Sequence, residues 1–167
     1  MATAKAKWDR HDAERARDFI VKELANYVAQ IELCGSFRRG LSEVGDLDFV
    51  VVPKPGMSDL LRTRIAELGR VLAQGSRTIR VVGRKGIQAD FMIIDRKSFG
   101  SAVLHTTGSA QFNIWCRAIA KKRGMKLNEY GLWKNEKIIA QDEIDILRTL
   151  HMEEYIPPTR RSVDERV

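Results

Sequence analysis

The chain has 167 residues, 44% of them hydrophobic, with 29 Lys and Arg against 22 Asp and Glu for a net charge of +7. That length allows one compact unit or two small lobes, and that apolar content is enough for a packed core. No apolar run approaches a membrane span and no secretory leader precedes the first helical pattern. The positive excess suits a polyanionic partner, so an intracellular protein with no membrane attachment is expected.

From 9 to about 30, Ala13, Ala16, Phe19, Ile20, Leu24, Tyr27 and Val28 recur at three- and four-residue steps, which predicts an amphipathic helix. A short strand over 31–34 ends at Gly35, a turn or brief helix fills 38–44, and 46–52 is a continuous apolar strand that begins with acids. Pro53 and Pro55-Gly56 close it. Helical spacing returns over 57–74 through Leu60, Leu61, Ile65, Leu68 and Leu72. Two extended runs, 78–82 and 87–94, are joined by Gly83-Arg84-Lys85-Gly86 as a hairpin.

After Asp95 the pattern changes, and a boundary between two lobes is expected there. Helices are predicted over 98–105 and 110–123, a strand-turn-strand over 126–133, and a short helix over 142–150 with Asp142 as its N-cap. Pro157-Pro158 opens a polar tail expected to be mobile. Cys34 and Cys116 lie in apolar surroundings and are expected as buried free thiols; with no Cys/His cluster there is no zinc site. Trp115 and Trp133 are expected in the second-lobe core, with Trp8 the least constrained of the three tryptophans.

The most informative segment is Cys34-Gly35-Ser36-Phe37-Arg38-Arg39-Gly40 followed by Gly45-Asp46-Leu47-Asp48. Strand residues two apart share a face, so Asp46 and Asp48 project together; Asp90, between Ala89 and Phe91, joins them if the two strands are neighbours. Carboxylates grouped on a mostly buried face need a divalent cation, for which oxygen donors suit Mg²⁺, or else a set of arginines, with Arg38 and Arg39 nearby. Gly35 lets backbone approach a phosphate, Ser36 offers a hydroxyl, and Arg39 can fork onto phosphate oxygens. No Gly-x-x-x-x-Gly-Lys-Ser/Thr occurs, which excludes a P-loop. Residues 117–137 concentrate basic charge through Arg117, Lys121, Lys122, Arg123, Lys126, Lys134 and Lys137, where a nucleic-acid backbone could run.

Gly35-Ser36 and the Gly-x-Asp-x-Asp of Gly45, Asp46 and Asp48 resemble the motif of the nucleotidyltransferase superfamily, and most closely the palm of family X DNA polymerases, the polymerase beta group. Thr107-Gly108-Ser109, Phe112-Asn113, Arg117 and Asn128-Glu129-Tyr130-Gly131-Leu132 are similar to the same family's nucleotide-binding subdomain, or thumb. The resemblance covers about 30–157 and implies an α+β protein. A nucleotidyltransferase palm, a mixed β-sheet flanked by helices, spans 1–97, a small α/β thumb 98–157, and a polar tail 158–167.

It also implies roles. Asp46, Asp48 and Asp90 are catalytic and hold two Mg²⁺ ions, with Mn²⁺ able to substitute. Gly35, Ser36, Arg39, Gly45, His105, Thr107, Gly108, Ser109 and Asn113 contact the nucleotide, and Arg117, Lys121, Lys122, Arg123, Lys126, Asn128 and Tyr130 the DNA. The implied activity is short-gap, template-directed DNA synthesis of the repair type, by a monomer acting on primer-template or gapped DNA with dNTPs and without proofreading. One departure stands out: the family's aromatic pair before Thr-Gly is replaced by His105 and Thr106, which bears on rejection of ribonucleotides. A nucleotidyltransferase acting on RNA, protein or a small molecule, a template-independent extender, and a catalytically dead nucleic-acid-binding module are the alternatives.

Overall fold

A computed structural model describes residues 6–163. Asp9 caps the first helix, α1 (Arg10–Leu24), by accepting from the Asp12 amide, and the two-residue strand before it, β1 (Trp8–Asp9), pairs with β3 (Glu43–Val44). Trp8 is therefore packed against the core, although it was expected to be the least constrained of the three tryptophans. The helix stops six residues short of the predicted end because Val28 already belongs to a strand, β2 (Val28–Leu33). The β-branched and apolar residues from Val28 onward fit a pleated surface better than a helix face.

A one-turn helix, α2 (Gly35–Arg38), follows β2 directly, and β4 (Leu47–Pro53) follows β3. The second helical stretch divides at Gly69 into α3 (Ser58–Glu67) and an exposed edge strand, β5 (Arg70–Gln74). Leu68 and Leu72 extend the helical spacing in sequence, yet Leu72 lies on that exposed strand. With β6 (Thr78–Val82) and β7 (Gln88–Ile93), the large sheet has the order β2-β4-β7-β6-β5. The β4–β7 pair alone is parallel.

Alternation along β4 divides the core. Leu47, Phe49 and Val51 face α1 and α3, and Phe49 stacks on Phe91 of β7 at 5.1 Å, a contact worth about 1 kcal/mol beyond its burial. Val50 and Val52 face the other way, against Ala102 and Val103 of α4 (Phe99–Thr107). Asp48 shares that second face.

The second lobe packs α4 and α5 (Ala110–Lys122) on a three-stranded antiparallel sheet of β8 (Met125–Asn128), β9 (Gly131–Lys134) and β10 (Lys137–Ala140). The sequence reading lacked β10. Asp142 caps α6 (Glu143–Thr149), accepting from the amides of Ile144 and Asp145. Trp115 lies edge-on to Phe112 and Tyr155 while keeping 39% of its surface exposed, and Trp133 donates to Asn128. The tail does not leave the body at Pro157. A 3₁₀ turn over Pro158–Arg160 leads to Arg161, which is 0% exposed, and to buried Ser162. Both cysteines are buried thiols, and burial pushes Cys116 up to about 12 and Cys34 higher still, so neither is a nucleophile at neutral pH. Among the described residues no helix is long and apolar enough to cross a membrane.

Candidate active site

Parallel pairing of β4 and β7 sets Asp48 beside Asp90, and Asp46 stands at the mouth of β4. One oxygen from each of the three carboxylates lies within 4.8 Å of the others, and all three side chains are half-buried. The expected convergence is therefore present. Three like charges at that spacing repel one another, and an all-oxygen donor set open to solvent on one side fits a hard divalent cation.

Backbone packing fixes one wall of this cage. The Cys34 amide donates to the Asp48 carbonyl at 2.7 Å. Gly35, at φ +61°, leaves so little room that a Cβ there would sit 2.3 Å from Asp48 Oδ2. Glycine at this position thus sets where the Asp48 carboxylate rests, in addition to permitting the backbone turn. Ser36 is half-exposed on α2 beside it, and Gly45 is half-buried where the chain enters Asp46.

The arginine that forks onto Asp90 is neither of the two expected. Arg80, on β6 directly opposite Asp90, forks onto it with Nε to Oδ1 and Nη2 to Oδ2, both at 2.9 Å. Gln88 Nε2 adds a third bond at 3.0 Å. Hydrogen bonding to Asp90 and its charge, with Asp46 and Asp48 farther off, hold the Arg80 guanidinium above its ordinary pKa.

Arg38 and Arg39 turn toward the thumb instead. Arg38 forks onto Glu143 at 2.7 and 2.8 Å and reaches Thr107 Oγ1 at 3.0 Å. Glu143 also accepts from Arg161 at 2.5 Å. Burial pushes the Glu143 carboxyl up, but the hydrogen bonds and charges of Arg38 and Arg161 outweigh it and hold it below the usual carboxylate range. Arg39, expected to fork onto the triphosphate, is buried and donates to the Thr107 carbonyl at 2.6 Å and Ser162 Oγ at 3.1 Å. Thr107 is itself fully buried, and Gly108 packs against Arg39. Ser109 is the N-cap of α5, its hydroxyl accepting from the Phe112 amide and donating to the Arg161 carbonyl. These residues, expected around the nucleotide, form the joint between the lobes in this conformation.

His105 and Asn113, expected at the nucleotide, and Arg117, expected at the DNA, line one small cleft. Asn113 donates to the His105 carbonyl at 2.7 Å, and burial lowers the His105 pKa. Among the residues expected to contact DNA, Arg117, Lys121, Lys122, Arg123 and Lys126 are all exposed, with Arg123 also donating to the Thr149 carbonyl. Asn128 and Tyr130 differ. The Asn128 side-chain oxygen accepts from the amides of Tyr130 and Gly131 and from Trp133 Nε1, so it shapes a turn. The Tyr130 ring is covered by Arg77 at 4.7 Å.

The family described as DNA polymerase beta palm matches residues 8–107, and DNA polymerase beta thumb matches 102–162. The DNA polymerase/3'-5' exonuclease PolX of Bacillus subtilis is 30% identical over 124 residues, covering 68% of this chain; the chain spans only 21% of PolX. The Repair DNA polymerase X of African swine fever virus (isolate Warthog/Namibia/Wart80/1980) is 27% identical, covering 84% of this chain and 85% of its own length. In fold, the chain matches Leishmania infantum polymerase beta in a ternary P/T complex with a TM-score of 0.84 at 23% identity, covering 94% of this chain and 77% of the other. With the palm alone matched over more than half of its length, the chain belongs to the polymerase beta group of family X DNA polymerases.

Proposed function

We propose that this chain is a template-directed DNA polymerase of the repair type, filling short gaps by adding deoxynucleotides to a primer 3'-hydroxyl. In that reaction the 3'-oxygen bonds to the α-phosphorus, the α–β phosphoanhydride bond breaks, and pyrophosphate leaves. The observation that carries the reading is the convergence of Asp46, Asp48 and Asp90 within 4.8 Å against a glycine that admits no side chain.

Those three carboxylates would hold two Mg²⁺ ions, which when bound lower the pKa of the attacking hydroxyl and neutralise the triphosphate. The protein's own part is positioning. Gly35 and the Cys34 amide fix the Asp48 side of the cage, and Arg80 and Gln88 fix Asp90. Ser36 presents a hydroxyl beside it for a phosphate oxygen. The exposed basic face of α5 and β8 offers a track for a nucleic-acid backbone.

The palm is proposed to end near Asp95 and the thumb to run on through Ser162, since Arg161 is built into the thumb's packing and lies over the Phe112 ring. Gap filling on a labelled one-nucleotide gap with Mg²⁺ and dNTPs tests the reading. Extension that follows the template base and disappears in Asp46→Asn/Asp48→Asn supports it. Extension that ignores the template, or transfer only to RNA or a non-nucleic acceptor, refutes it.

A further inference from the structure

Both oxygens of Asp90 accept from a side-chain cation across a sheet register. An ionised carboxylate has about four lone-pair directions, and Arg80 and Gln88 together take three of Asp90's. The remaining direction and the oxygens of Asp46 and Asp48 are what a metal ion would meet. We infer that Arg80 is a built-in counter-ion of the acid cage: it neutralises Asp90 while the cage is empty, and so raises the amount of cation needed to fill it.

Several features of the surroundings support this role. The residue across from Arg80 on its other side is Ala73 of the edge strand, which offers no competing acceptor. Arg80 keeps 49% of its side chain exposed, so its guanidinium can withdraw toward solvent without dismantling packed structure. A divalent ion entering the same cage competes with a positive charge fixed in contact with one of its ligands, and its binding loosens the fork. Arg80 is a positioning residue on this account, touching a ligand and not the reacting atoms.

The inference rests on the acid cage being a metal site, so the experiment reads metal binding directly. Mn²⁺ affinity is measured by electron paramagnetic resonance of the unbound ion, on the full chain without nucleotide, for the wild type and for Arg80→Gln. Removing the resident charge is expected to tighten Mn²⁺ binding about ten-fold and to lower the melting temperature in chelator. Mn²⁺ affinity unchanged or weakened in a folded Arg80→Gln protein would overturn the proposal and leave Arg80 an ordinary cross-strand partner. A second measurement needs no variant to fold. In wild type, the Arg80 Nε–H resonance is followed during a Mg²⁺ titration, and it shifts or exchanges faster if the fork loosens. A resonance unmoved at saturation overturns the proposal equally. Failure of the metal reading is separate: there, Mn²⁺ would bind equally well to Asp46→Asn/Asp48→Asn.

Discussion

Replacing Gly35 by alanine tests how the cage is built. Two effects are expected, and they fall on different measurements. The first is backbone strain: at φ +61° an alanine costs about 1–2 kcal/mol relative to glycine. For a chain this size each kcal/mol lowers the melting temperature by about 2–4 °C. The second is displacement. Moving Asp48 Oδ2 from 2.3 Å out to ordinary van der Waals contact shifts it by about 1 Å. Because the obstructing atom ends a side chain, the carboxylate can swing aside, so this shift costs little stability. It does remove a cage oxygen from its place, and misplacement on that scale costs about 100-fold in rate, close to 2.7 kcal/mol of barrier. Gly56→Ala is the control. It has φ +74° with nothing within 4 Å of the added carbon, so it carries the strain without the displacement. Single-turnover gap filling and thermal melts on both variants separate the effects. Gly35→Ala should lose rate about 100-fold with a modest fall in melting temperature, and Gly56→Ala should lose stability alone. If Gly35→Ala fills gaps within about three-fold of wild type, the Asp48 position does not depend on residue 35 and the reasoning fails.

Glu143→Gln strands the buried Arg161 without a counter-charge and leaves Arg38 only Glu32 at 3.5 Å, and should lower stability by about 3–5 kcal/mol near neutral pH. The Glu143 carboxyl is held below 4.5 when folded, so its contribution is complete above pH 4.5 and lost as pH falls through the folded value. Chemical denaturation across pH 3–7 should therefore show the gap between wild type and variant narrowing with acid; a constant gap would contradict the ion-pair account. Lys121→Gln/Lys122→Gln should reduce the slope of log affinity against log salt by about 2 on gapped DNA, as fluorescence anisotropy would report, and an unchanged slope removes these lysines from the DNA track. The His105 imidazole should titrate below 6.5 by NMR, because burial disfavours its charged form; a midpoint at or above 6.5 would mean that the cleft is wetter than its packing indicates.

The cage was legible because its information is local. Two acids at alternating positions with a glycine and hydroxyl just upstream follow from strand geometry, while Asp90 joins them because its strand is the neighbour of β4. Arg80 was not, and the reason is register. A four-residue turn over 83–86 places Val82 opposite Ile87 and Arg80 opposite Ala89. The actual connection runs one residue longer, with Val82 opposite Gln88. A slip of one residue moves a side chain to the other face of a sheet, so the same hairpin read one step out hides the Arg80–Asp90 fork altogether. The tail was misread for a different cause. Pro157-Pro158 and the charges after it have the composition of a solvated end, and nothing local indicates that Arg161 meets Glu143, eighteen residues upstream. Helical spacing misled at Leu72, where periodicity continued past the point at which the backbone became strand.

The short helix α2 ties these two kinds of information together. At its start Gly35 presses on Asp48; three residues on, Arg38 forks onto Glu143, and Arg39 reaches the Thr107 carbonyl and Ser162. A single turn of helix cannot stretch between these anchors, since its own hydrogen bonds join Arg38 to Cys34 and Arg39 to Gly35. A shift of α6 or the tail relative to the palm therefore pulls on the same few residues that seat the Asp48 carboxylate. Side chains expected to touch the nucleotide, Arg39 and Thr107 among them, influence the cage from the joint between the lobes. Their substitution should alter rate through the placement of Asp48, and the double variant Gly35→Ala/Arg39→Gln should lose less than the two single losses combined.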